Sequence, residues 1–174
     1  MLETTRLLLR PPTKADDRRL FDIYGDPLTN LYNPFGPHPD IEKSRSVLGG
    51  WMAHWEQHGF GQWAIATLHE PEKVIGFGGV AFRKYIEDER LNLGYRFAPE
   101  AWGMGYATEV GRAALRCAFD QHGQSDAYAI VRPINAQSIR VLEKLPMKRI
   151  GSLDDVPGEP MSLLYWAGNQ HPVS

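Results

Sequence analysis

Apolar positions along the chain recur with two periods, and the changes of period divide it into elements. Leu7 to Arg10 is a short apolar run halted by Pro11-Pro12, which reads as a first strand. Thr13 then opens a helix as its N-cap, with Asp16 three residues on and Leu20, Ile23 and Tyr24 on the apolar face. Asp26 to Asp40 holds four prolines, one glycine and two asparagines, a loop long enough to suggest a function. From Ile41 to about His58 the positions Val47, Leu48, Trp51, Met52 and Trp55 recur at helical spacing.

Three strands are expected next, Gln62 to Leu68, Val74 to Phe82 and Leu91 to Phe97. The short polar links His69 to Lys73 and Lys84 to Arg90 make antiparallel hairpins of them. Gly105 to about Gln121 predicts a helix with Ala107, Val110, Ala114, Cys117 and Ala118 on one face and Gly123 past its end. A strand at Ala127 to Val131, a helix from Asn135 to Leu145 stopped by Pro146, and strands at Met147 to Gly151 and Met161 to Trp166 complete the order. Hairpins in the middle and helical crossovers later imply an α/β (α+β mixed) fold, a mixed sheet with helices on both faces. Strict βα alternation is missing, which argues against a doubly wound nucleotide fold.

Composition narrows the class. The chain has 174 residues, 43% hydrophobic and 23% charged, which suits one folded domain spanning 1–174. A formal charge of -2 gives no electrostatic case for nucleic acid. A single cysteine, Cys117, excludes an internal disulfide framework and a cysteine zinc site. It stands amid alanines, so burial is expected. No apolar run approaches the roughly 20 residues that span a bilayer. Met1 to Arg10 is too short and charged for a signal peptide, so a cytoplasmic protein is expected, with no membrane partner.

The most informative stretch runs from Leu91 to Glu109, where a strand enters a turn with two glycines and a helix begins. The first turn of a helix has free N–H groups and partial positive charge, so it forms an anion site without a lysine. Gly103 and Gly105 let the backbone approach a phosphate, small Ala107 keeps the way open, and Thr108 adds a hydroxyl. Thr108 stands where a dinucleotide fingerprint needs its third glycine, and no Lys-Ser/Thr follows as in a Walker loop. By itself the segment is equally well read as a glycine turn before an ordinary helix.

The wider context adds a resemblance. Trp102-x-x-Gly105-x-Ala107 after a strand resembles the Q/R-x-x-G-x-G/A motif of the GNAT acetyltransferase superfamily. Asn135-Ala-Gln-Ser138 continuing to Leu145 resembles the N-x-x-S-x-R-V-L-E-K-L helix of its RimJ/RimL-like branch, which acetylates ribosomal-protein N-termini, and Val74 to Gly79 resembles that branch's third strand. The resemblance covers nearly the whole chain. It implies a splayed sheet of about seven strands, open between Leu91 to Phe97 and Ala127 to Val131, with the pantetheine arm of acetyl-CoA in the gap. On that basis Gly103, Met104, Gly105, Tyr106, Ala107 and Thr108, following Trp102, would cradle the pyrophosphate. Main chain at Arg96 and Phe97 would pair with the pantetheine amides, and Asn135 would bond the arm. No metal is implied. The partner is an amine acceptor, a protein N-terminus or a small molecule, and the chain would be a monomer or homodimer.

Two departures from the family pattern matter. The position of the tyrosine acid of many members is Leu142, and a hydroxyl stands instead at Ser138, the candidate donor to the leaving sulfur. Asn92 replaces the carboxylate common in the fourth strand; an amide is no base, although it can hold a water or the amine. Glu100, Glu109 and His38 are other conceivable proton acceptors. Tyr32, Asn33 and Phe35 lie in the loop that would build the acceptor wall, while Trp51 and Trp55 read more simply as core. His54 and His58 stand at i, i+4 without the glutamate placement of a zinc protease, so a surface pair is expected. Lys144, Lys148 and Arg149 form a basic cluster suited to the 3′-phosphate. Alternatives are a non-catalytic CoA- or acyl-CoA-binding regulatory module and a different nucleotide binder.

Overall fold

The computed structural model describes residues 1–169. Its sheet has eight strands: β1 (Leu2–Glu3), β2 (Leu7–Arg10), β3 (Gln62–Thr67), β4 (Val74–Tyr85), β5 (Asp88–Phe97), β6 (Asp126–Val131), β7 (Lys148–Leu153) and β8 (Ser162–Gly168). They lie in the order β1-β2-β3-β4-β5-β6-β8-β7. Every neighbouring pair is antiparallel except β5 and β6. The helices are α1 (Asp17–Tyr24), α2 (Ile41–His58), α3 (Tyr106–Arg116) and α4 (Ala136–Lys144). The expected mixed α/β architecture is present, with one strand more than about seven. The addition is β1, two residues long and too short to show a period.

Both faces of the sheet are covered, which is why β3 and the first half of β4 are buried continuously instead of alternating. Leu20 and Ile23 of α1 and Leu48 of α2 pack with Phe77 on one face. Val110, Ala113 and Ala114 of α3 pack with Leu9, Ile65 and Leu93 on the other. Leu142 of α4 joins this second cluster. Burying each Leu, Ile, Val or Phe side chain among them stabilises by about 1.5–3 kcal/mol.

Three boundaries differ from expectation. The β4–β5 ladder continues to Tyr85↔Asp88, so the hairpin turns in two residues at Ile86-Glu87 and not over Lys84 to Arg90. Cross-strand pairing carries these polar residues as strand, which composition alone hides. The helix expected to reach Gln121 is α-helical to Arg116 and finishes in a π turn, Cys117–Gln121, with His122 N–H bonded to the Cys117 carbonyl at 3.2 Å. Thr13 caps a single 3-10 turn before α1; its N–H donates to the Asp16 carboxylate at 2.7 Å, which also takes a two-pronged bond from Arg10.

The paired histidines are half-buried and structural. β3 ends its pairing with β4 at Gly79, which leaves the next part of β4 without that neighbour. His54 fills the place: Phe82 N–H donates to its Nε2 at 3.0 Å, and its Nδ1 bonds the Phe60 carbonyl at 2.8 Å. His58 stacks beside it, ring centroids 4.4 Å apart, and both pack on Phe60 and Phe82. An imidazole that accepts at Nε2 and donates at Nδ1 is neutral. Burial accordingly lowers the pKa of His54 below its ordinary 6.5.

Its contribution to stability is therefore complete above pH about 6.5 and declines as the pH falls from there through the lowered folded value. In thermal melts, Tm is expected to drop further between about pH 7.5 and about pH 5 in the wild type than in His54→Gln. Equal drops would show that His54 does not charge on unfolding.

Candidate functional site

The site is built from β5. This strand pairs with β4 from Gly76↔Phe97 to Tyr85↔Asp88 but meets β6 at a single pair, Asn92↔Tyr128. Past Asn92 the two parallel strands separate, and Leu93 to Phe97 on one side and Ala129 to Val131 on the other line a cleft of about 1130 Å³. Backbone groups left by such a parting require partners from a ligand or water.

The glycine turn stands at this cleft. Gly103 and Gly105 have φ of +75° and +78°, values a side chain rarely takes, and a Cβ at Gly103 would meet nothing within 4 Å. Gly105 is the N-cap of α3, and the first intrahelical bond runs from Glu109 N–H to the Gly105 carbonyl. The N–H groups before Glu109 lie ahead of the helical ladder. Gly103, Gly105, Tyr106, Ala107 and Thr108 all line the cleft; Met104 is exposed beside it. Trp102 lines it too, and its indole N–H donates to the Phe97 carbonyl at 2.9 Å, pinning the turn to the end of β5. One lone pair of that carbonyl is thus already used.

Arg6 holds the turn from the far side. Its Nη1 donates to the Met104 carbonyl at 2.8 Å, and its guanidinium lies 4.8 Å from the centre of the Tyr106 ring. Its Nε and backbone N–H bond Glu109, which also accepts from Thr4. Burial pushes the Glu109 carboxyl up, yet these donors hold it below the usual range. Glu109 is therefore a strut of the loop and no proton acceptor. Glu100 is held low by its own backbone N–H and by Arg19, at 2.7 Å, and it does not line the cleft. His38 also lies off the cleft, bonded to Ser44 at 2.8 Å and packed on Tyr24, with burial lowering its pKa.

Asn92 and Ser138 both line the cleft. The Tyr85 hydroxyl donates to Asn92 Oδ1 at 2.5 Å, which leaves the amide NH₂ as a donor. Asn92 therefore presents hydrogens and cannot take a proton from an ammonium. Asn135 is the N-cap of α4, its Oδ1 accepting from Ser138 N–H at 3.1 Å, which fixes the amide and leaves its NH₂ as a donor for a ligand. The Ser138 hydroxyl lies near enough to Tyr95 to bear on its ionisation, and burial pushes the Tyr95 pKa up to about 12. Tyr95 lies close against β4, where a Cβ on Gly78 would come within 2.8 Å of its Cβ. Arg140 and Lys144 of α4 line the cleft, whereas Lys148 and Arg149 are exposed on β7 and do not.

The loop after α1 folds around Asn30, which is 6% exposed. Its side chain donates to the Tyr24 and Asp26 carbonyls and accepts from Asn33 and from Arg96, the last at 2.6 Å. Arg96 so ties β5 to this loop through its side chain, with Tyr24 4.3 Å beneath the guanidinium. Tyr32, Asn33 and Phe35 line the cleft, but the Asn33 side chain is spent on Asn30, Gly36 and Phe35. Trp51 packs on Tyr24 and Phe77 at the edge of the core and also lines the cleft, while Trp55 packs on Trp63 and donates to the Gln62 carbonyl.

Sequence reading missed Arg6, Asn30, Tyr95, Arg140 and Asp155, the last a cleft residue from the β7–β8 loop. Arg6 and Asn30 act across 98 and 66 positions, so no local pattern announces them. Arg6→Ala is expected to speed amide hydrogen exchange from Gly103 to Ala107 by roughly tenfold or more, with β3 and β4 still protected. Unchanged exchange there would mean that the turn holds itself without the arginine.

The family model described as acetyltransferase (GNAT) domain matches residues 6–148. The protein named uncharacterized N-acetyltransferase YnaD, from Bacillus subtilis (strain 168), is 32% identical over 150 residues, covering 86% of this chain and 84% of that protein. A solved acetyltransferase from Agrobacterium tumefaciens str. C58 superposes with a TM-score of 0.79 at 25% identity, covering 95% of this chain and 92% of that one. Spermidine N-acetyltransferase from Vibrio cholerae, solved with CoA and spermine, has the same fold with a TM-score of 0.76 at 16% identity, covering 98% of this chain and 100% of that one. An open β5–β6 cleft, a helix N-terminus at it and a family match over most of the length converge: this chain belongs to the GNAT acetyltransferases, enzymes that use acetyl-CoA as acetyl donor.

Proposed function

We propose that the protein is a RimJ/RimL-like N-acetyltransferase that moves acetyl from acetyl-CoA to a primary amine, on a protein N-terminus or a small molecule. The observation that carries this reading is the parting of β5 from β6 at Asn92, with the α3 N-terminus at the same cleft. Bound acetyl-CoA supplies an activated thioester. The chain's residues suit it: N–H groups from Gly103 to Thr108 and the cations Arg140 and Lys144 for phosphate, and the free edge of β5 for amides. Asn135 NH₂ is a further donor to the arm.

The remaining chemistry belongs to side chains. Asn92 NH₂ donates to a carbonyl oxygen placed at the apex of the parting, where negative charge develops. Ser138 gives a proton to the departing sulfur and recovers one as the amine nitrogen is acylated, while Tyr95 beside it is kept protonated by burial. The amine attacks in its uncharged form, so the rate follows the free-amine fraction. Tyr32 and Phe35 form the outer wall against which the acceptor sits.

Thiol release from acetyl-CoA tests this assignment. Ser138→Ala is expected to lower kcat by roughly 10²-fold, and Tyr95→Phe by less, with little change in KM for acetyl-CoA. If Ser138→Ala leaves turnover intact, the acid role is dropped. A limb near pH 6 in kcat/KM, absent from the substrate's own titration, would show a dedicated side-chain base.

A further inference from the structure

The described lining of the cleft is rich in cations, with Arg83, Arg96, Arg132, Arg140 and Lys144, and holds one carboxylate, Asp155. Asp155 follows β7 in the loop that leads to β8. Its side chain is 12% exposed. Oδ2 has Arg132 Nη2 at 3.4 Å, a loose contact, since the same guanidinium donates more closely to the Pro160 carbonyl through Nη1 at 2.8 Å. Oδ1 is buried and has no hydrogen-bond partner among the described residues. A buried carboxylate oxygen without a donor is expensive, by more than the typical cost of a neutral group. A protein keeps such an atom where a donor arrives from outside.

The position fits that donor. Asp155 lies near enough to Tyr85 to bear on its ionisation, and Tyr85 holds Asn92 at the apex of the strand parting. Asp155 and Asn92 line the same cleft. The β7–β8 loop also meets the Tyr32 loop: Glu159 and Pro160 share a small hollow with Leu31, Tyr32 and Arg132. The two loops frame one entrance.

We propose that Asp155 is the acceptor-recognition residue of this enzyme, and that the acceptor carries an alkylammonium group, separate from the amine that is acetylated, whose N–H bonds to Oδ1. The inference rests on the N-acetyltransferase reading and adds a substrate class to it. Asp155 does not take the place of the carboxylate missing at Asn92 as a proton acceptor; it gathers and orients the cation, and a second donor satisfies its free oxygen. Neutral arylamines, with no ammonium at working pH, lack the charge it selects.

The test uses thiol release with spermidine, 1,4-diaminobutane and an alanine-initiated peptide containing lysine as ammonium acceptors, and p-anisidine as the neutral aryl control. The wild type is expected to turn over at least one ammonium acceptor in preference to p-anisidine. For that acceptor Asp155→Asn should raise KM roughly ten- to a hundredfold, the loss of one charge-assisted bond, while KM for acetyl-CoA stays within about twofold. Asp155→Glu should recover part of the loss. An acceptor KM unchanged in Asp155→Asn overturns the proposal. So does a wild type that saturates with acetyl-CoA in slow hydrolysis but acetylates none of the three ammonium acceptors, or only p-anisidine. If the wild type shows no saturation by acetyl-CoA at all, the donor assignment itself fails, and this inference falls with it.

Discussion

Two parallel strands that touch at one pair of residues make the rest of this structure intelligible. β5 is fully committed to β4 and almost uncommitted to β6. Peptide groups cannot be left dry without a partner, so a sheet that opens in its middle has to be completed by something else. The parting creates an elongated, polar-edged slot with the start of α3 beside it. Asn92 at the apex, the glycine turn at the cleft and the two entrance loops are all arranged relative to that opening.

Holding the opening in shape falls largely to arginines. Arg6 fixes the glycine turn, Arg96 fixes the loop after α1, and Arg10 fixes the start of α1 through Asp16. Each guanidinium reaches across the chain to a carbonyl, an amide or a carboxylate, using the several donors of its planar head. Carboxylates that look like candidate bases in the sequence are consumed by this bracing. Glu109 and Glu100 both have pKa values lowered by their arginine partners and neighbouring donors. Asp155 is held more loosely, with Arg132 at 3.4 Å on Oδ2 and no donor to Oδ1 among the described residues.

Much of this was legible in sequence wherever the signal was local. Helical spacing marked α2, the Pro-rich stretch marked the loop after α1, and the two glycines before Tyr106 marked the turn that opens α3. The resemblance of Trp102 to Ala107 and of Asn135 to Leu145 to known motifs placed both on the same cleft, as the structure does. What escaped was non-local. The neighbour of Ser138 is Tyr95 from another element, and the constraint on Asn92 is Tyr85 across the hairpin. The histidine pair looked like a surface feature because helical spacing carries no trace of the strand edge it would cap. The short β1 and the polar end of the β4–β5 hairpin depend on pairing and not on composition.

The claim on which everything else rests is that the opened strand edge and the glycine turn together bind acetyl-CoA. Calorimetric titration of the wild-type protein with acetyl-CoA, beside NAD and ADP, addresses it directly. The account predicts one saturable site for acetyl-CoA, with NAD binding far more weakly and ADP in between, because ADP offers a pyrophosphate but no arm for the β5 edge. No heat of binding with acetyl-CoA at millimolar concentration, or NAD binding as tightly, would contradict it and leave the turn before α3 as ordinary structure.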